Sequence, residues 1–143
     1  MSVVHLVTDA EAEANPAIKA VFDDIRATRK SDFVNNIWRA LAAVDPAGLQ
    51  RTWDGVKGLM AVPGALDQKT REMIYIAVSA ANSCEYCVHS HTAAARAQGM
   101  TAAEHSELLQ IIALAASTNH LANALQVPVD PAFQTPQASQ PER

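Results

Sequence analysis

Residues 66–91, LDQKTREMIYIAVSAANSCEYCVHSH, decide the fold. Asp67 suits the N-cap of a helix. The residues after it run to Ala81 without Gly or Pro and carry Arg71, Glu72, Met73, Ile74, Ile76 and Val78. This predicts a helix through Ala81. Asn82 and Ser83 interrupt it. Asn82 with Glu85 three residues later reads as a capping box, so a further helix is expected from Cys84 to Gln98, stopped by Gly99.

Outward from this stretch the pattern stays helical. A helix is expected from about Asn15 to Arg29, with Pro16 at its first position and Ile18, Val21, Phe22 and Ile25 as one apolar stripe. SDFVNNIWRALAAV (31–44) predicts the next, capped by Ser31 or Asp32, with Val34, Ile37, Trp38, Leu41 and Val44 buried. Asp45-Pro46 opens another, running to about Met60 and burying Leu49, Trp53, Val56, Leu59 and Met60. Pro63-Gly64 marks a turn. Thr101 and Glu104 form a capping box for a helix whose apolar part is Leu108, Leu109, Ile111, Ile112, Leu114 and Ala115. STNHLANALQV (117–127) is expected to be helical as well. Residues 1–8 read as an apolar arm packing on a neighbour. Residues 129–143 read as an extended or disordered tail, leaving one domain over 1–128.

Composition agrees with an all-α fold. The chain has 143 residues, 49% of them apolar but only 5% aromatic, so its core must come from Ala, Leu, Ile and Val. A net charge of −4 and the lack of a basic patch argue against nucleic-acid binding. No apolar run reaches the roughly 18 residues of a membrane span. MSVVHLVTDAEAEANP has neither the basic nor the long apolar region of a secretory signal. A cytoplasmic location is therefore expected, where paired cysteines are more often catalytic or metal-binding than structural.

NSCEYCVHSH (82–91) holds both cysteines and two of the five histidines. Successive helical residues turn by about 100°. With Cys84 at zero, Cys87 lies about 60° and His91 about 20° to one side, whereas His89 lies about 140° away with Tyr86 on the far side. Cys87 and His91 are one turn apart. Cys84 falls in the first turn, where free N–H groups and the helix dipole favour a thiolate. A nearby His can take a thiol proton. Cys-x-x-Cys spacing also allows a labile disulfide. These are the parts of a thiol redox centre. Two other readings stand beside it. A structural zinc would need ligands from a distant segment or His89 reaching around the helix. Two inert cysteines would behave as small apolar residues. Glu72, taken alone, reads as a surface residue paired with Lys69 or Arg71. Trp38 and Trp53 read as core or interface anchors, and His5, His105 and His120 (beside Asn119) as surface or capping groups.

The pattern E-x11-C-x2-C-x3-H, met by Glu72, Cys84, Cys87 and His91, resembles the alkylhydroperoxidase D family of the carboxymuconolactone decarboxylase-like superfamily. The resemblance covers about residues 35–120. It implies an all-helical domain of six to seven helices with the Cys-x-x-Cys at a helix N-terminus, assembled as homotrimers or homohexamers. It also implies thiol-dependent reduction of hydroperoxides. Cys87 would be the peroxidatic cysteine and Cys84 the resolving one. His91 would serve as base toward Cys87, and Glu72 would act in a proton relay. The electron donor would be an external dithiol, a lipoyl-bearing protein or another thiol carrier, with no bound cofactor or metal. One departure is Tyr86, where founding members carry His between the cysteines; a phenol relays protons less readily than an imidazole at neutral pH. Tyr86 and His89 remain candidate relay or site-lining residues. The alternatives are a carboxymuconolactone decarboxylase-type lyase, whose members generally lack the cysteine pair, and a non-catalytic redox-responsive oligomer.

Overall fold

The computed structural model describes residues 2–134. Among these residues it contains seven α-helices and no strand: α1 (Asp9–Glu13), α2 (Pro16–Arg29), α3 (Asn36–Val44), α4 (Pro46–Met60), α5 (Gln68–Ala81), α6 (Glu85–Ala97) and α7 (Ala102–Ala124). A short 3-10 turn follows at Pro131–Phe133. The helices form two compact units that divide between Asp67 and Gln68.

The first unit is built around tryptophan. Trp53, Phe22, Ile25, Leu49 and Val34 are fully buried, and the α2 stripe of Ile18, Val21, Phe22 and Ile25 faces inward as expected. Trp38 and Trp53 meet edge to face with centroids 5.4 Å apart, a geometry suited to ring quadrupoles. Trp53 Nε1 donates to Asp24 Oδ2 at 2.6 Å, and Lys57 Nζ donates to the same carboxylate at 2.7 Å. Lys57 first, then Trp53, holds the Asp24 carboxyl below its usual range.

Several expectations for this unit are corrected. The N-terminal arm is tied to its own unit at Val7, which is buried: its N–H bonds Arg39 O, and Arg39 Nη1 donates to Val7 O at 2.8 Å, whereas Val3 and Val4 are exposed. α1 was not anticipated, although Thr8 and Glu11 form a full capping box. α3 begins at Asn36, not after Ser31 or Asp32. Lys30 is left-handed at φ 53°, and Ser31 Oγ accepts the Phe33 N–H, so the chain turns here before it winds. Val34 is thus buried from an extended segment and does not set the helical phase. Trp38 and Ala42, one turn apart, face inward, while Ile37 and Val44 are exposed. Leu59, near the end of α4, is exposed too.

The second unit packs α5, α6 and α7 around Ile76, Ala95, Met100 and Leu108, with Met73, Ala77 and Ile112 against them. Gly99 ends α6 with φ +88°, a conformation glycine adopts without a Cβ clash. The Thr101–Glu104 capping box starts α7 as expected. α7 runs unbroken through the stretch read as two helical segments. Only part of its apolar set is covered: Leu108 is buried and Ile112 half-buried, whereas Leu109, Ile111 and Leu114 are exposed. Val127, Val129 and Phe133 of the C-terminal segment are exposed, and residues 135–143 of the expected tail lie outside the described residues. Among the described residues no helix is long and apolar enough to cross a membrane.

Lys69 Nζ on α5 meets Glu104 Oε1 on α7 at 2.6 Å. This bond, with the Thr101 backbone N–H, lowers the Glu104 carboxyl from 4.5 to about 2. A depressed carboxylate stabilises the fold above its unfolded value, and that share is lost as pH falls toward the folded value. Glu104→Gln keeps a capping residue but loses the charge. In chemical denaturation the variant is expected to be less stable than the parent at pH 7, and the gap is expected to close between pH 4.5 and about 2. A gap independent of pH would contradict the ion pair's role.

Candidate functional site

The site is made by the corner between α5 and α6. Asn82 N–H bonds Val78 O, Ser83 N–H bonds Ala80 O, and Cys84 N–H bonds Ser79 O at 2.9 Å. These bonds satisfy the last carbonyls of α5. Ser83 takes the left-handed conformation, φ 56°, that such an ending requires. The chain cannot wind again until Glu85, so Cys84 itself becomes the N-cap of α6. The expected Asn82–Glu85 capping box does not form. Cys84 Sγ accepts the Cys87 N–H at 3.3 Å instead. The first sulfur thus lies at the positive end of α6, where negative charge is favoured. Cys84 and Cys87 are joined as a disulfide with their Cα atoms 5.4 Å apart.

Two helices joined by a tight corner bring together residues at equal distances from it. Tyr75 and His91 each lie eight residues from Ser83. Their rings stack, with centroids 3.7 Å apart and planes 19° apart. One turn further from the corner, Glu72 Oε2 meets His91 Nδ1 at 2.6 Å. Glu72 is 6% exposed, so the surface pairing expected from the sequence alone is corrected. A buried carboxylate needs partners for both oxygens, and Gln68 Nε2 supplies the second at 3.0 Å to Oε1. With Nδ1 committed to Glu72, the neutral imidazole carries its lone pair on Nε2 and can accept a proton there.

The structure therefore brings Cys84, Cys87, His91 and Glu72 into one helical corner. Tyr86 is 41% exposed. His89 is turned to solvent, 4.0 Å from Glu85 Oε1. It borders an open hollow of about 250 Å³ whose other walls include Ser79, Ala80, Ser83, Cys84 and Val88. Cys87 is not among these walls. His5 hydrogen-bonds Glu11 on the surface, and His120 is exposed, both as read; His105 is half-buried rather than on the surface. Among the described residues no three His, Cys, Asp or Glu side chains are grouped to hold a metal ion.

Gln68 and Tyr75 were missed. They sit four residues before and three after Glu72, the spacing that shares a helix face. That spacing was readable in the sequence. What the face meets was not, because it depends on the angle of the corner.

Comparison with known proteins agrees with the all-helical fold. The family model described as the carboxymuconolactone decarboxylase family matches residues 47–130. The crystal structure of the alkylhydroperoxidase AhpD core from Rhodospirillum rubrum is 65% identical, covers 95% of this chain and 99% of its own, and superposes with a TM-score of 0.92. The uncharacterized protein 4 in the cox locus of Paracoccus denitrificans is 29% identical over 90 residues, 63% of this chain and 77% of that protein. The chain belongs to the carboxymuconolactone decarboxylase family, among its alkylhydroperoxidase D-like members.

Proposed function

We propose that this protein is a thiol-dependent peroxidase that reduces hydroperoxides through a Cys84/Cys87 dithiol–disulfide cycle. The observation that carries the reading is a Cys-x-x-Cys disulfide at a helix N-terminus, one turn before a histidine locked to a buried carboxylate. The 65% identity to an alkylhydroperoxidase core supports it.

In the reduced enzyme Cys87 gives its proton to His91 Nε2, with Glu72 holding the ring and balancing the imidazolium. The thiolate attacks the peroxide oxygen, the O–O bond breaks, and His91 returns the proton to the departing alkoxide. An alcohol leaves and Cys87 becomes a sulfenic acid. Cys84, favoured as a thiolate by its N-cap position, attacks that sulfur. Hydroxide leaves, is protonated to water, and the disulfide closes. An external dithiol, on a lipoyl-bearing or other carrier protein, restores both thiols. Tyr86 stays outside these steps.

The protein is further read as a subunit of a cytoplasmic homotrimer or homohexamer. Ile111, Leu114 and Leu121 of α7, with Leu125 just after it, are each more than half exposed. So many large apolar groups along one helix favour a covering partner.

Four variants test the mechanism, with cumene hydroperoxide as substrate and dithiothreitol as donor. Cys87→Ser is expected to abolish turnover, and wild-type activity in it would end the peroxidase reading. Glu72→Gln is expected to lower kcat by about 10²-fold, the lower range for a lost acid–base contribution. Tyr75 acts on the ring it stacks on: Tyr75→Phe keeps the stack and is expected to retain the parent's pH profile, whereas Tyr75→Leu is expected to lower kcat and shift that profile. Identical profiles for the two would show that the stack does not position His91.

A further inference from the structure

The disulfide is the form of the site that a reductant meets, and thiol–disulfide exchange depends on which sulfur is reached. The two cysteines differ in their surroundings. Cys84 lines the open hollow of about 250 Å³ and Cys87 does not. Ala80 and Val88 give the hollow apolar walls, and Ser79 and Ser83 add small polar ones. At its edge stand Glu85 and His89, with side chains 91% and 82% exposed. The concavity is mostly apolar, open to solvent, and walled by one cysteine of the pair.

We propose that this hollow receives the electron donor, a small aliphatic dithiol or an arm carrying one, and that the donor's first thiolate attacks Cys84 Sγ. The inference rests on the dithiol–disulfide cycle proposed above. A bond forms between the donor sulfur and Cys84 Sγ, the Cys84–Cys87 bond breaks, and Cys87 leaves as a thiolate. Cys87 stands one helical turn before His91, whose imidazolium form neutralises a thiolate. The donor's second thiol, once deprotonated, attacks the donor's first sulfur. The donor closes its own disulfide, and Cys84 leaves as a thiolate at the helix N-terminus. There its sulfur already accepts the Cys87 N–H. Two electrons pass from donor to protein, and the donor's two thiol protons end on the cysteine pair and His91. The exchange returns Cys87 first, as the thiolate that meets the next peroxide. The hollow thus serves the reducing half of the cycle.

The test uses full-length protein oxidised with diamide, so that it does not depend on peroxide chemistry. A brief exposure to 2-mercaptoethanol is quenched with acid, free thiols are alkylated, and the products are mapped by mass spectrometry. The expected product carries mercaptoethanol on Cys84 and the alkyl group on Cys87. The reverse placement would overturn the inference. Val88→Trp, which fills the hollow, is expected to slow reduction of the diamide-formed disulfide by dithiothreitol. It is expected to leave unchanged the rate at which cumene hydroperoxide oxidises the reduced protein. Unchanged reduction in this variant, or equal slowing of both half-reactions, would also overturn the inference. Failure of the peroxidase reading itself would show separately, as reduced protein that peroxide does not oxidise.

Discussion

A buried carboxylate on one helix and an imidazole on the next hold this site together. Glu72 is almost wholly out of water and hydrogen-bonds His91 at 2.6 Å. Desolvating a carboxylate is costly unless partners replace the lost water, and breaking a buried pair costs more than the pair contributes. Gln68 takes one Glu72 oxygen and His91 the other. The bond therefore fixes the register of α5 against α6 and the ring plane of His91. Tyr75 fixes the same plane from its stacked face. An imidazole held by its Nδ1 and by its face has one nitrogen left for chemistry.

The corner completes what that bond begins. Ending α5 with a left-handed Ser83 lets three successive N–H groups close on the helix, and it postpones the first turn of α6. Cys84 becomes the cap, so a sulfur stands where a capping oxygen is usual. The cysteine pair then straddles the helix start, with Cys84 outside the first turn and Cys87 inside it. The two cysteines are chemically alike but differently placed: one borders a hollow, and the other precedes His91 by one turn. A division of labour between them follows from position rather than from residue type.

Much of this was legible in the sequence. Pro16, Pro46, Gly99 and the Thr101–Glu104 pair marked real helix ends because each acts through local backbone chemistry. The 3.6-residue period separated His91 from His89, and the structure keeps them apart. Other features depended on contacts distant in sequence. Glu72 looked like a surface residue until the family pattern singled it out, since burial at that position comes from a helix nineteen residues away. Val34 misled the phase of α3, because an apolar residue can be buried from an extended segment as well as from a helix. Asn82 had the right spacing for a cap, but the tight ending of α5 claimed the corner first. The exposed leucines and isoleucines of α7 fit the helical period, yet no period tells whether an apolar face is covered by its own chain.

The most direct measurement of the central claim, that Cys87 is the sulfur activated through His91 and Glu72, is mass spectrometry of Cys84→Ser protein after a peroxide pulse with sulfenic-acid trapping. The expected result is a trapped sulfenic acid at Cys87 in Cys84→Ser, strongly reduced when Glu72→Gln is added, with an intramolecular Cys84–Cys87 disulfide in the parent. Trapping at Cys84 in Cys87→Ser, with none at Cys87 in Cys84→Ser, would contradict it.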